Sequence, residues 1–501
     1  MVDIPEEQLQ EEYQIDLLKN GNVAYFASSG YGKTTMIMTS LLSLAFKNPV
    51  ELLNFYILDF GNSALIPLNG LPHTADYMTF DDSEKMGKFI RIIQEEIKNR
   101  KRLLAEKMVQ NFDVYNQVAD KKLKAIIIAI DNYDVVKELG LDVEEVFTKI
   151  SRDGAGLGIY MIIAGTRSGS VRYATINNFK TKIAGFNFDE GDITTTVGRS
   201  SYKIPEIKGR ALVNYKNINL MQMYSMVDFN NEVEYSENIK KLIGMIVEKY
   251  PNVRAPRIPI LPERFSYDMI HNYEEQLDAY DIPLGLDMEA VELRGLKRQN
   301  SPFIIVGETA KGKTNMLKVI LNEIDKMSKV FLFDSKAMGL YSYQGNNNIE
   351  YIQDEEDFSE FVESIEDICE ERQELLKESI ANNQVMLPKD FFGRLEPIYI
   401  IIDEVDDFIE KGKPFEKTLL ELVKKAAECG VIIISTTNAG KLKGYDDLSK
   451  WFKSTVNGLL LSNQGTLNIF TVSSMREYPN LGIGLLFNNG VYIRIKLPRC
   501  E

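Results

Sequence analysis

Two short glycine-bearing loops, "SSGYGKTT" at 28–35 and "GETAKGKTN" at 307–315, each follow an apolar run and precede a helix-like segment. A chain that passes from strand through such a loop into a helix is committed to a sheet whose strand ends present backbone N–H groups and a lysine to phosphate. The runs that enter the loops are "NVAYFA" at 22–27 and "FIIVG" at 303–307, and the first loop leads into the apolar "TTMIMTSLLSLAF". More runs follow the first loop: "FYILDF" at 55–60, "AIIIAID" at 125–131, "IYMIIAGT" at 159–166 and "KIAGF" at 182–186. The second is followed by "VFLFDS" at 330–335, "IYIIIDE" at 398–404, "VIIISTT" at 431–437 and "GLLLSN" at 458–463. Near-continuous apolar strands separated by charged helical stretches, such as the one at 83–109, predict an α/β fold with a mainly parallel sheet flanked by helices on both faces. Lys33 and Lys313 are 280 positions apart, and Asp131 and Asp403 end the third run of each half, 98 and 90 positions beyond them. Two independent features at matching offsets predict an internal duplication, two tandem P-loop NTPase domains.

A length of 501 residues exceeds one ordinary core and fits two such units. Pro251, Pro256, Pro259 and Pro262 in "PNVRAPRIPILPER" at 251–264 forbid a continuous helix and predict an extended connector, so the domains are expected at 1–255 and 256–501. The stretch "IPLGLDMEAVELRG" at 282–295 predicts small strands introducing the second copy, whereas the first begins abruptly at "IPEEQLQEEY". That asymmetry leaves two readings of residues 1–20, a start made within a longer parent chain or a native short terminus. The chain lacks a run of about 20 apolar residues and a basic-then-apolar leader, so a soluble, intracellular piece is expected. Cys369, Cys429 and Cys500 are too widely spaced for a disulfide framework or metal cluster, and two histidines exclude a histidine-rich metal site. The formal charge of -15 turns the expectation from nucleic acid toward protein partners or small ligands.

The second loop is complete. Gly307, Thr309, Ala310, Lys311, Gly312, Lys313, Thr314 and Asn315 can surround the phosphates of ATP, with Lys313 on the outer oxygens and the Thr314 hydroxyl on Mg2+. Asp403, leaving its strand at the carboxyl edge, is expected to hold the same ion, usually through water, and Glu404 to orient or deprotonate the attacking water. The bland alternative makes Asp403, Glu404, Asp406 and Asp407 a solvated strand exit. In the first copy Ala27 replaces the leading glycine and Asn132 replaces the glutamate. Ser29, Gly30, Gly32, Lys33, Thr34 and Thr35 still form a nucleotide loop if the backbone at Ala27 has negative φ, with Thr34 and Asp131 for Mg2+. Asparagine can hold a water but cannot accept its proton, so this copy reads as a binder with weak or absent hydrolysis, unless Asp134 or a partner residue supplies the base. Thr166 and Thr436 could touch the γ-phosphate or merely end strands, and Arg152 and Arg167 could stabilise charge at a neighbouring nucleotide or be paired surface residues. Cys429 reads as a small core residue. Trp451 reads as core or as an exposed anchor.

With its two loops, acidic strand ends and the order "GLGIYMIIAGTR" then "GRALV", the chain resembles the FtsK/SpoIIIE branch of ring-forming motor ATPases. The "ASSGYGKTT" loop, "AIDNYD" at 129–134, "VGRSSYKIPEIKGRALV" at 197–213 and the proline connector make it more similar to the C-terminal tandem ATPase domains of EssC-type proteins of type VII secretion. The resemblance implies a piece of a larger protein on the cytoplasmic side of the cell membrane, attached to it only through upstream segments. It implies an ATPase, the second domain the more competent, that drives or regulates export of WXG100-type helical-hairpin proteins and meets other secretion-machine subunits. It also implies a homo-hexamer in the full assembly, with weak association expected in isolation. Two other readings stay open at this point: a DNA translocase of the same superfamily, and a nucleotide-stabilised assembly scaffold without turnover.

Overall fold

A computed structural model describes the chain except for residues 278–280, 298–299, 383–385, 439, 443–445, 466–468, 471–477 and 501. The chain separates between Ile258 and Pro259 into two compact units. In the first, the strands are β1 (Val2–Ile4), β2 (Leu9–Glu11), β3 (Val23–Phe26), β4 (Leu53–Asp59), β5 (Thr74–Thr79), β6 (Ala125–Asp131), β7 (Ile159–Gly165), β8 (Thr181–Gly185), β9 (Arg210–Tyr215) and β10 (Asn217–Gln222). The second contains β11 (Ile282–Asp287), β12 (Leu293–Leu296), β13 (Phe303–Val306), β14 (Lys329–Phe333), β15 (Ile349–Ile352), β16 (Ile398–Ile402), β17 (Ile432–Thr437), β18 (Gly458–Leu460), β19 (Ile483–Asn488) and β20 (Val491–Lys496).

Both units form one ten-stranded sheet with the same order, β2-β1-β10-β9-β8-β3-β7-β6-β4-β5 and β12-β11-β20-β19-β18-β13-β17-β16-β14-β15. The run from β8 to β5 is parallel throughout, while β9, β10, β1 and β2 continue it antiparallel. Alternate residues supply two cores, as a strand buried on both faces requires. Val23 and Tyr25 of β3 join the layer containing Ile37, Leu41 and Leu42 of the helix Lys33–Lys47, and Ala24 and Phe26 join the layer containing Phe89, Ile93 and Ile97 of the helix Ser83–Glu106. In the second unit Ile304 and Val306 face one layer, and Phe303 and Ile305 the other.

The asymmetry expected between the two starts is absent. β1 and β2 form the antiparallel hairpin that β11 and β12 form in the second unit. Three-residue strands in "VDI" and "LQE" are too short for an apolar alternation to register. The proline connector is extended and anchored. Ala255 and Ile258 are buried in the first unit, where their N–H groups donate to Pro72 O and Asp76 Oδ2, and Lys496 Nζ donates to Pro262 O in the second.

Each unit also carries a buried arginine that no motif announces. Arg100 donates from Nη1 to Leu157 O and from Nη2 to Lys124 O, both at 2.7 Å. Arg372 donates to Cys429 O at 2.8 Å and to Glu396 O at 2.6 Å. Both tie a long helix to the turns that lead into two central strands. Cys429 lies in the core with Cys369, and Trp451 is half-buried against Phe452, so both take the core reading. Among the described residues no helix is long and apolar enough to cross a membrane.

Candidate functional site: two phosphate loops

In the first unit β3 delivers Ser28–Tyr31 to the amino end of the helix Lys33–Lys47. Gly30 and Gly32 take φ of 88° and 94°, the left-handed backbone that turns successive N–H groups inward around an anion. Lys33 Nζ donates to Ala27 O at 2.8 Å, and Thr34 Oγ1 donates to Asp131 Oδ2 at 2.7 Å. Burial lowers the proton affinity of Lys33, against which Asp131 and Asp134 act. It also raises the Asp131 carboxyl above its ordinary range, against the Thr34 hydrogen bond. Asn132 follows in left-handed backbone, φ 58°, and its Nδ2 donates to Phe60 O at 3.1 Å. Its amide is thus tied to the end of β4. Asp134, the alternative base, accepts the Thr166 N–H at 2.7 Å.

The second loop repeats the backbone, with Ala310 at φ 62° and Gly312 at φ 98°, before the helix Lys313–Glu323. Its charges are arranged differently. Lys313, 5% exposed, has Nζ 3.0 Å from Gly307 O, 3.1 Å from Glu308 O and 3.1 Å from Glu404 Oε1. Glu404 stands at φ 62°, where a non-glycine side chain is uncommon, and its Oε2 is buried without a hydrogen-bond partner. Burial raises its carboxyl above the ordinary range, opposed by Lys313. Asp403, 3% exposed, accepts from Ser335 Oγ and Thr436 Oγ1, each at 2.8 Å, and Thr436 Oγ1 accepts the Glu404 N–H at 2.8 Å. Burial raises the Asp403 carboxyl too, against those two hydroxyls.

Gly307 and Ala27 differ for a reason that lies on the neighbouring strand. A Cβ on Gly307 would come 3.1 Å from Leu461 Cβ. Beside Ala27 the matching position is Gly185, where a Cβ would come 2.8 Å from Ala27 Cβ and 2.2 Å from the Tyr25 hydroxyl. Small and large have changed places across the two strands. Ala27 is absent from the positive-φ residues, so its methyl costs the loop nothing in backbone strain.

Other expected site residues are divided. Thr309 Oγ1 accepts from Asn438 Nδ2 at 2.9 Å, while Ser29 is exposed and Lys311 half-buried. Thr314 lies against Gly339, its Cγ2 2.8 Å from where a side chain there would begin. Thr35 lies near the Tyr235 hydroxyl, and Asn315 holds the last residues through Pro498 O and the Cys500 N–H, both at 2.9 Å. Register corrects the pairing of Thr166 with Thr436. Thr436 lies opposite Ile305 and Ala164 opposite Tyr25, so Thr436 corresponds to Ala164 and Thr166 to Asn438. Arg152 is 65% exposed on Asp153, and Arg167 71% exposed beside Asp192. Sequence reasoning missed Ser335, and it offered Thr436 for the γ-phosphate or a strand end, whereas both hydroxyls are on Asp403. Asp59 and Asp334 brace their loops, accepting from Leu65 N and Tyr77 Oη, and from Leu340 N and Tyr351 Oη.

Residues 1–138 match the FtsK/SpoIIIE family. Over its whole length the chain is 33% identical to the ESX secretion system protein EccC of Geobacillus thermodenitrificans, of which it covers 34%. It spans about a third of the length of the curated relatives it matches. Its fold superposes on EssC ATPases 2 and 3 from G. thermodenitrificans with a TM-score of 0.88 at 32% identity, covering 100% of this chain and 95% of that one. For the cytoplasmic domain of EssC the TM-score is 0.85 at 32% identity, with 98% of each chain covered. The fold is thus a tandem of RecA-like P-loop NTPase domains, kin to domains described as ATPases. This chain belongs to the EssC/EccC type of FtsK/SpoIIIE ATPases of type VII secretion.

Proposed function

We propose that the chain is the ATP-binding part of a membrane-anchored type VII secretion ATPase, that it binds ATP at both loops, and that it hydrolyses ATP at the second. One observation carries the distinction between the loops: Glu404 and Asn132 occupy the same left-handed position after a buried aspartate, but Glu404 reaches the loop lysine and Asn132 is fastened to Phe60 O. Glutamate can accept a proton from water. Asparagine cannot.

The donor sets suit phosphate with a hard cation. The part-buried Thr34 hydroxyl donates to the buried Asp131 beside the first loop; the corresponding positions at the second are Thr314 and Asp403, whose carboxylate is held by Ser335 and Thr436. Mg2+, when bound, draws charge from the phosphate oxygens. The work of the chain itself lies in its lysines and in Glu404. Lys313 exchanges its loop carbonyls and Glu404 for triphosphate oxygens, which frees Glu404 Oε1 beside the already unpartnered Oε2. The raised proton affinity that burial gives Glu404 suits a base that takes a proton from water and later returns it. Titration calorimetry with Mg-ATP tests this reading. Two binding events are expected, one lost in Lys33→Ala and the other in Lys313→Ala; a protein that binds no nucleotide contradicts it.

Within the larger protein we assign the module to the export of WXG100-type helical-hairpin substrates together with other secretion-machine subunits, in a hexameric ring held by the membrane segments. Tethering supplies effective concentration, so the isolated module associates weakly. Sedimentation at micromolar protein without nucleotide is expected to give monomer or a weak oligomer, and a stable hexamer there contradicts the tethering argument.

A further inference from the structure

Beside the first loop stands an aromatic group that has no counterpart among the described residues at the second. Tyr31, within the loop, packs on Phe186 with ring centroids 4.6 Å apart, and Phe188 lies edge-on to both, 5.2 Å from Phe186 and 6.1 Å from Tyr31. Phe188 is 75% exposed, a large apolar ring held in water immediately beside a phosphate loop. It is fixed there by the backbone. Ser28 N–H donates to Phe186 O at 2.9 Å, Phe188 N–H donates to Ser28 Oγ at 3.3 Å, and that hydroxyl donates to Asn187 Oδ1 at 3.2 Å. Tyr25 Oη donates to Tyr31 O at 2.8 Å, and the Tyr31 hydroxyl donates to Glu206, which pins the ring from its far end. At the second loop the matching positions are Lys311, Ser462 and Gln464, and Gln464 is buried with its amide on Phe470 O.

We propose that Phe188, steadied by Tyr31 and Phe186, is the stacking platform for the base of the nucleotide whose phosphates the first loop holds. The proposal rests on reading that loop as a nucleotide site and adds what it recognises: a planar nucleobase as well as a triphosphate. Every base has a π-face, so stacking accepts any of them and favours purines for their larger area. The second loop, without such a ring among the described residues, reads the triphosphate. The division fits a first site that holds nucleotide and a second that turns it over.

The test uses the full chain carrying Lys313→Ala, which silences the second loop, and compares calorimetric titrations with Mg-ATP and Mg-tripolyphosphate. Phe188→Ala is expected to weaken ATP binding about 5-fold or more, the lower end of base–aromatic stacking, and to leave tripolyphosphate unchanged. Phe188→Trp is expected to keep ATP affinity. Equal ATP affinity with and without the ring overturns the platform while leaving the loop a nucleotide site. Equal weakening of both ligands also overturns it, because the ring then acts through the shape of the loop. A protein with Phe188 intact that binds neither ligand removes the nucleotide reading of the first loop and the platform with it.

Discussion

The buried aspartates at the two strand ends are costly in the ligand-free protein, and the cost has a sign that can be measured. Asp131 is 3% exposed, and burial makes its carboxyl harder to ionise in the native state than in the unfolded chain. A carboxyl raised in this way gives its full stability below its unfolded pKa, and loses it as pH rises through the raised native value. Asp131→Asn is therefore expected to raise the thermal midpoint of the nucleotide-free protein near neutral pH, by a margin that shrinks as the pH falls into the carboxylate range. Midpoints recorded across pH for parent and variant decide it; a variant destabilised at neutral pH, or a gain indifferent to pH, contradicts the account. The residues proposed to carry this chemistry stand out in the sequence, since Lys33, Asp131, Lys313, Asp403 and Glu404 sit in motifs tied to strand ends. Their supporting hydroxyls do not. Thr436 reaches Asp403 only because of its register against Ile305, and Ser335 only because it follows β14, neither of which a motif encodes. The Ala27 exchange was equally hidden, because its compensation at Gly185 lies 158 positions away.

Strands and helices were read unevenly for a physical reason. The parallel strands are buried on both faces, so "AIIIAID" and "IYIIID" announce themselves as apolar runs. Beyond them β1, β2, β9 and β10 have exposed or half-exposed positions and mixed composition, and no continuous run marks them. Buried β5 was missed as well, since "TADYMT" mixes polar and apolar residues. The arginine staples are invisible for another reason, because an arginine in a charged helix looks like surface. Arg100 is 2% exposed and holds two backbone carbonyls that would otherwise lose their donors. Arg100→Met is expected to cost roughly 2–4 kcal/mol, the order for losing charged hydrogen bonds to buried acceptors. In a unit of this size that lowers the midpoint by about 5–10 °C. Arg100→Lys should recover only part of it, because an ammonium lacks the planar fork that reaches both carbonyls. Calorimetric melts of the three proteins test this, and an unchanged midpoint in Arg100→Met contradicts the staple.

The two units share strand order, loop backbone and arginine staple, and diverge in the side chains around the two loops. Under the proposed function, divergence at the position after the strand-ending aspartate leaves the second site equipped for water activation and the first equipped to hold nucleotide. Glu404 against Asn132 is the residue pair on which this division stands. Steady-state phosphate release by the parent protein, Glu404→Gln and Lys33→Ala, measured in the full membrane assembly where the isolated module is silent, tests it most directly. The account predicts that Glu404→Gln falls at least about 100-fold while its calorimetric affinity for Mg-ATP is kept, as expected when a water-orienting group is lost from an intact phosphate site. Turnover that survives Glu404→Gln and disappears in Lys33→Ala would place hydrolysis at the first loop and contradict it.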